Sequence, residues 1–355
     1  MTTTAAARTR TGVGDVLRRL LMSEYLILYL CLALFGILYF VVPVIATPYN
    51  LSNLFSNIWP LFAVAIGQTF VLIIAGIDLS QGAVISLSSV AGAAFIATAV
   101  DPIVFEKSPL WGVLLFEEGA LMAGSPIGLP VAILAMLAVG LLVGLLNGLA
   151  VALARIPPFM VTLVSGMFCA ALAIFLVKSE NIINLPLDFT SIGDSTGIIT
   201  AALVIAVVLA VVAHLVLSRT VFGRWLYAIG TNPRAAVVSG VPARKVTVAT
   251  YMFSGLCAAI ASVIYSSRMG MGRPTLGDPL LLDIIGGAVI GGTSLAGGKG
   301  KIVWTFFGVL FLSLLGNALS LLNVPFFYIE IVKGSVILFA ALIDVLRRRT
   351  ALTGA

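Results

Sequence analysis

Long runs of apolar residues alternate with short polar stretches along this chain, and within most runs nearly every position is apolar. A soluble amphipathic helix keeps one face polar, so this pattern indicates helices surrounded by apolar material. A helix needs about 20 apolar residues to cross a lipid bilayer. Ten runs approach this length and predict helices at 25–45, 54–75, 81–100, 128–153, 159–178, 198–217, 247–267, 280–296, 302–322 and 326–346.

Composition supports the same fold class. Of 355 residues, 61% are hydrophobic and only 10% are charged, whereas a soluble domain has about 25% charged residues. Backbone polar groups in lipid must be satisfied within their own segment, so a helix bundle follows. We therefore predict an all-α polytopic membrane protein with about ten transmembrane helices. The first apolar run exceeds the roughly 7–15 residues of a signal-peptide core, which predicts a retained helix.

Basic residues are distributed unevenly between the connections. Lys and Arg concentrate in cytoplasmic loops, and with the N-terminus in the cytoplasm 15 of the 20 basic residues fall on that side. The net charge of +6 follows from this topology and requires no nucleic-acid partner. The predicted regions are cytoplasmic tails at 1–24 and 347–355, a transmembrane domain at 25–346, a cytoplasmic loop at 218–246, and periplasmic connections at 101–127 and 179–197.

Two glycine-rich stretches are predicted on the cytoplasmic side. "GGTSLAGGKG" at 291–300 lacks the first glycine and the hydroxyl residue of a phosphate-binding P-loop, so we interpret it as a turn. "GIDLSQG" at 76–82 is similar, and its Asp78 is either a functional acid at the membrane edge or a helix N-cap paired with Gln81. The candidate turn residues are Gly76, Asp78, Ser80, Gly82, Gly292, Ser294, Gly297 and Gly298.

The longest basic connection, 218–246, contains a predicted short helix. Asn232-Pro233 is typical of a helix start, and Gly240 is typical of a helix end. "PRAAVVSG" between them predicts about two helical turns. A helix that projects from a membrane protein needs a partner surface, whereas the alternative is a solvated loop that only joins two helices.

A few polar residues interrupt the predicted helices. Gln68, Asn147 and Asn317 are candidates to line a polar path, because an unpaired amide in lipid is costly; hydrogen bonds between helices are the alternative. The central parts of the helices show no carboxylate, which argues against an ion-coupled secondary transporter. A membrane-embedded enzyme is the weaker alternative, because the chain offers no nucleophile or metal-ligand set.

Charged residues near the outer ends of two helices predict an ion pair. Lys333 lies about 10 Å into the last helix at 1.5 Å per residue. Glu330 is one turn away on the same face, and Asp283 lies at a similar depth on another helix. A lone ammonium at this depth is expensive, so Lys333 is predicted to pair with Glu330 or Asp283.

Three motifs together resemble the permease subunit of ribose-type bacterial ABC importers: "VLIIAGIDLSQGAVISL", "GTNPRAAVVSGV" and "LLLDIIGGAVIGGTSLAGGKGKI". The resemblance covers about 54–346. It implies an inner-membrane importer of a pentose, hexose or related sugar, with two identical or different permeases, a periplasmic sugar-binding protein and cytoplasmic ABC ATPases. ATP and Mg would be bound by the ATPase, and this chain would carry no cofactor or metal. The matching coupling region implies that the ATPase is contacted by Asn232, Pro233, Arg234, Ser239 and Gly240.

Overall fold

The fold is a bundle of α-helices with one small β-hairpin. A computed structural model describes residues 23, 25–194 and 200–353, with side chains described as far as 343. Most of the N-terminal tail and residues 195–199 of the second outer connection lie outside the described residues. The elements are α1 Leu26–Val41, α2 Pro48–Ile73, α3 Gln81–Ile96, α4 Pro102–Phe105, β1 Leu115–Phe116, β2 Gly119–Ala120, α5 Gly128–Ala152, α6 Pro158–Val177, α7 Leu187–Thr190, α8 Ala201–Arg219, α9 Val221–Thr231, α10 Pro233–Val238, α11 Ala243–Met269, α12 Leu281–Ile290, α13 Ile302–Leu321 and α14 Phe326–Thr353.

Each of the ten predicted segments contains an α-helix, but the helices differ in length. Within the described ranges, seven are long and apolar enough to cross a membrane. Helices α1 and α3 have 16 residues each, and α12 has only 10. Ten residues span about 15 Å, half of a hydrocarbon core of about 30 Å. The prediction of a complete spanning helix at 280–296 is therefore wrong.

A segment without α-helix, 270–280, precedes α12 and lies against α3, and its last three residues, Asp278–Leu280, form a 3₁₀ turn. Glycines and prolines interrupt the helical pattern there, at Gly270, Gly272, Pro274, Gly277 and Pro279. Serine hydroxyls of α3 accept hydrogen bonds from its backbone: Ser89 Oγ from the N–H of residue 273 at 3.0 Å, and Ser86 Oγ from that of residue 277 at 2.9 Å. Irregular backbone inside a membrane protein requires such partners.

Helix α11 occupies the centre of the bundle and packs against α2, α3 and α5. Along α5, Gly140, Gly144 and Gly148 recur every four residues and therefore share one face. A Cβ atom at any of them would collide with the α11 backbone, at Gly255, at Tyr251 or at Val248 respectively. Small residues at this spacing let two membrane helices approach closely, and α5 and α11 pack as one unit.

The two ends of the bundle differ. One end, here called the basic end, exposes Arg155, Arg224, Lys299 and the α9–α10 region. At the opposite end, residues 97–127 form a structured cap that contains α4 and the antiparallel pair β1–β2. This cap is bonded to the end of α3, where the Ala120 N–H donates to Ala97 O at 2.7 Å.

Candidate functional site

Helices α9 and α10 form an elbow at the basic end. The Thr220 hydroxyl accepts from the Gly223 N–H at 3.2 Å and caps α9, and Asn232 Oδ1 accepts from the Ala235 N–H at 3.0 Å and caps α10. Pro233 occupies the first turn of α10, and Gly240 follows the helix at a φ of 84°. The predicted short helix is thus present. Helix α9 was not predicted, although its apolar residues recur at helical spacing.

Almost all of α10 is exposed. Only Ala236 is buried, whereas Val238 is 89% exposed and Val237 is 57% exposed. Arg234 and Ser239 are also exposed. Two adjacent valines beside an arginine on a projecting helix are typical of a surface that another protein covers.

Helix α9 connects this elbow to the interior of the bundle. The Tyr227 hydroxyl donates a hydrogen bond to Gly300 O at 2.7 Å. The Gly298 N–H donates to Ile73 O at 2.9 Å, and Gly230 lies so close to both that a Cβ atom would overlap them. Burial raises the pKa of the Tyr227 hydroxyl, which therefore remains a donor at neutral pH. Three elements meet here: the end of α9, the end of α2 and the glycine-rich loop 291–301.

The loop 291–301 has the backbone of a tight turn. Gly292, Gly297 and Gly298 have φ values of 84°, 84° and 74°, in the region that favours glycine. The Ser294 N–H donates to Lys299 O at 3.0 Å and closes the turn. The second predicted turn, 76–82, extends into a helix. Gly76, Asp78 and Ser80 lie in the non-helical connection 74–80, whereas Gly82 belongs to α3.

Asp78 is buried inside the bundle, with 1% of its surface exposed. Its Oδ1 accepts from the Ser80 N–H at 3.0 Å and the Ser80 hydroxyl at 2.6 Å, and its Oδ2 accepts from the Ser254 hydroxyl at 2.6 Å. Asn147 Nδ2 donates to Ser80 Oγ at 2.9 Å. Gln81 Nε2 donates to Ser254 Oγ at 2.8 Å instead of returning to Asp78. The N-cap interpretation is therefore wrong: the N-cap position of α3 is occupied by Ser80, whose side chain makes no capping hydrogen bond.

This network corrects a second expectation. Ser254 is 11 residues into α11, or about 16 Å from its first residue. A carboxylate bonded to it lies deep in the bundle, although the sequence patterns indicated no central carboxylate. Within the described part of the chain, no ion pair includes Asp78, and hydroxyl and backbone donors satisfy it. The network joins the connection 74–80 to α5 and α11.

The three predicted path residues do not come together. Gln68 is completely buried, and neither of its amide atoms has a hydrogen-bond partner in the described residues. Asn147 is bonded to Ser80, as above. Asn317 forms a reciprocal amide pair with Asn50, at 2.9 and 3.0 Å. Of the three, Asn317 lies beside a cavity among the described residues.

This cavity, here called the outer cavity, has a volume of about 340 Å³ and lies away from the basic end. Helices α2, α11, α12, α13 and α14 surround it. Lys333 Nζ lies 2.8 Å from Asp283 Oδ2 and 3.2 Å from Glu330 Oε1, which places the three predicted outer charges in one cluster. A larger cavity of about 740 Å³, mostly apolar, lies between α1 and α14.

The described residues include no group of three His, Cys, Asp or Glu side chains that could hold a metal. Cys31, Cys169 and Cys257 are buried and unpaired.

Comparison with known proteins gives a consistent result. A family model described as "Branched-chain amino acid transport system / permease component" matches residues 50–342. The chain is 34% identical to a ribose import permease protein of Bacillus subtilis (strain 168), over 87% of this chain and 88% of that protein. It is 30% identical to an L-arabinose ABC transporter permease protein of Azospirillum brasilense, over 97% and 92%. It is 27% identical to a D-allose transport system permease protein of Escherichia coli (strain K12), over 91% and 90%.

No solved structure matches this chain. The family match includes α2 to α13, the exposed α10 and the outer cavity. The resemblance inferred from the three sequence motifs is confirmed, and the chain belongs to this family of transport-system permease components.

Proposed function

We propose that this chain is the membrane-spanning permease subunit of an ABC importer that carries a monosaccharide, a pentose or hexose, into the cytoplasm. The observation that carries the proposal is the near full-length similarity to ribose, L-arabinose and D-allose transport permeases. ATP is hydrolysed on a separate subunit. A periplasmic sugar-binding protein delivers the sugar, and a second permease, identical or different, completes the transmembrane unit.

The proposed orientation places the protein in a bacterial inner membrane, with the basic end on the cytoplasmic side. Exposed Arg224, Arg244, Lys245 and Lys299 at that end support it, because positive charges are retained on the cytoplasmic side. Both termini are then cytoplasmic. The cap at 97–127 faces the periplasm, where the binding protein approaches.

Helix α10 is the proposed contact with the ATPase. Its exposed Val237 and Val238 insert into an apolar groove, and Arg234 faces acidic groups at the rim. Asn232 and Pro233 set the start of the helix, and Ser239 and Gly240 set its end. The ATPase moves α10, and α9 transmits that movement.

The transmission occurs where Gly230 touches Ile73 and Gly298. A displacement of α9 pushes the end of α2 and the loop 291–301 together, because their backbones are bonded there. Helices α2, α12 and α13 also form the outer cavity, so movement at the basic end changes the cavity walls. This arrangement supports alternating access, in which the helices shift between two packed states and the pathway opens to one side of the membrane at a time.

A reconstituted assay tests the proposed function. The permease, its ATPase and its binding protein are placed in liposomes, and uptake of radiolabelled D-ribose, L-arabinose and D-allose is measured with and without ATP. ATP-dependent uptake of at least one sugar supports the proposal. Uptake that needs only the permease and an ion gradient would contradict it.

The buried carboxylate of Asp78 favours one alternative, an ion-coupled secondary transporter, because such proteins use intramembrane acids. The same liposomes distinguish the two functions. Collapse of the proton and sodium gradients with ionophores abolishes ion-coupled uptake and leaves ATP-driven uptake intact. Replacing ATP by a non-hydrolysable analogue abolishes ATP-driven uptake and leaves ion-coupled uptake intact.

A further inference from the structure

The outer cavity contains polar groups that the coupling mechanism does not use. It extends beside Leu54, Asn57 and Leu61 of α2 and beside Ser313, Asn317 and Ser320 of α13. The first and last residues of each set are seven positions apart, so the cavity is about 10 Å long at 1.5 Å per residue. Its volume of about 340 Å³ is at the lower end of the roughly 300–1,000 Å³ of small-molecule sites. The dimensions fit a small ligand.

The charges beside the cavity are already paired. Lys333 forms two ion pairs at 2.8 and 3.2 Å, with side chains that are 12% exposed for Lys333 and Asp283. An ammonium has three donors, so Lys333 retains one after bonding its two carboxylates. Asp283 Oδ1 is buried and has no hydrogen-bond partner among the described residues. Two carboxylates and one ammonium give the cluster a formal charge of −1. Its remaining hydrogen-bonding capacity, one Lys333 donor and the Asp283 Oδ1 acceptor, suits a ligand whose hydroxyl groups both donate and accept.

Two asparagines add groups that both donate and accept. Asn317 is bonded to Asn50 by two amide hydrogen bonds, which link α13 to α2 near the end of the bundle opposite the basic end. Asn57 Oδ1 accepts from Arg268 at 2.6 Å. Neighbouring hydroxyl groups on a sugar ring also donate and accept hydrogen bonds. They can therefore take the place of one amide in the Asn50–Asn317 pair while the other amide keeps its hydrogen bonds. The Tyr265 ring also lines the cavity and can pack against the apolar face of a sugar ring.

Aromatic side chains of α2 and α13 that do not line the cavity pack together beside it. Next to Leu61, the Phe62 ring lies 5.2 Å from the Phe306 ring, and Trp59 stacks on Phe306 at 6.0 Å.

We propose that the outer cavity is a monosaccharide-binding site within the permease, formed by Asp283, Lys333, Asn317, Asn57 and Tyr265. The proposal rests on the proposed function, since it assigns the sugar a resting position between the binding protein and the inner pathway. The site binds weakly, because a sugar must leave it for transport to proceed.

Protection from chemical labelling tests this site. Cys31, Cys169 and Cys257 are replaced by Ala, and Ser313→Cys introduces one thiol in the cavity wall. The full transporter in nanodiscs is treated with a water-soluble maleimide, with and without D-ribose, L-arabinose or D-allose. We expect the transported sugar to slow labelling of this thiol in a saturable manner. Leu322→Cys is the control, because residue 322 is 50% exposed and does not line the cavity.

A second pair of variants separates binding from folding. Asp283→Asn keeps the shape of the side chain and removes its charge, and we expect the sugar concentration needed for protection to rise at least about tenfold. Glu330 is the other partner of Lys333 and does not line the cavity. Protection should therefore persist in Glu330→Gln. Asn317→Leu, an uncharged change, should also abolish protection.

The outcomes are distinguishable from failure of the proposed function. If a sugar is taken up in liposomes but never slows labelling at residue 313, the site does not exist although the importer does. If the thiol at 313 does not react at all, the cavity is closed to water and the proposal is overturned. Equal protection by sucrose or by sodium chloride at the same osmolarity also overturns it. If no sugar is taken up but one protects, the proposed function fails while the site stands.

Discussion

The contact of Gly230 with two other elements predicts that Gly230→Ala uncouples ATP hydrolysis from transport. A Cβ atom at 230 would overlap Ile73 O, the atom that accepts the Gly298 N–H at 2.9 Å. The new methyl group must displace either the end of α2 or the loop 291–301. The change should therefore separate α9 from both.

The magnitude follows from opposing contributions. Overpacking costs about 1–3 kcal/mol, and a buried backbone group left without its hydrogen bond costs about 1–3 kcal/mol. Alanine favours the helix over glycine by about 1 kcal/mol. The net expectation is a destabilisation of about 1–5 kcal/mol, so a change that normally stabilises a helix is harmful here. If about 1.4 kcal/mol of this cost falls on the coupled conformation, its population falls about tenfold.

The assay measures thermal unfolding in detergent, together with the ratio of sugar transported to ATP hydrolysed in liposomes. Gly36→Ala is the matched control, because Gly36 is also within a helix and nothing lies within 4 Å of a Cβ atom there. We expect the control to keep the transport ratio and to unfold at the same or a higher temperature. If Gly230→Ala behaves like Gly36→Ala, the contact does not transmit movement and the coupling argument fails.

Three further predictions concern other parts of the site. Arg234→Glu should lower ATPase stimulation by the binding protein while membrane insertion persists, and unchanged stimulation would remove α10 from the docking surface. Lys333→Ala and Asp283→Ala should each reduce folded yield and uptake, because the first leaves Asp283 without its ion pair and the second leaves Lys333 with Glu330 alone. The double variant should be less impaired than the two effects combined, and simple additivity would contradict a coupled pair. Ser254→Ala should destabilise the folded protein by about 1.5–3 kcal/mol, since it removes a hydrogen bond to the Asp78 carboxylate, and thermal unfolding in detergent measures it.

Hydrophobic pattern predicted where the helices lie, because burial in lipid requires continuous apolar residues. It failed at 280–296, where only ten residues are helical and serine hydroxyls of α3 bond the preceding backbone. Such side-chain partners lie almost 200 positions away in the chain and leave no local pattern. Helix α9 was missed for a related reason. Its buried face is short, and its partners, Gly298 and Gly300, lie in a distant loop.

The contacts of the candidate site were predictable where the partner is close in sequence, or where a charged residue inside a helix requires an oppositely charged partner. Asn232 caps α10 through a residue three positions away, and Lys333 had few acids within reach. Asp78 was misinterpreted, because its neighbour Gln81 fits a local cap while its actual partner, Ser254, is supplied by α11. Gln68 was placed correctly inside a helix, but a sequence cannot show that its amide meets no partner in the described residues.

The segment 270–280, which contains a 3₁₀ turn at Asp278–Leu280 but no α-helix, has a consequence for how the protein is made. The insertion machinery accepts helices largely by their hydrophobicity and length, and the ten residues of α12 are apolar but too few to span a bilayer. The hydroxyl partners of that backbone, Ser86 and Ser89, are synthesised much earlier, in α3. The segment from 270 to 290 can therefore enter the membrane only after α3 is in place, as a fold-dependent step. Weakening these serine contacts should therefore produce chains whose last two helices are inserted in the wrong orientation, in addition to leaving backbone groups of the finished bundle unsatisfied.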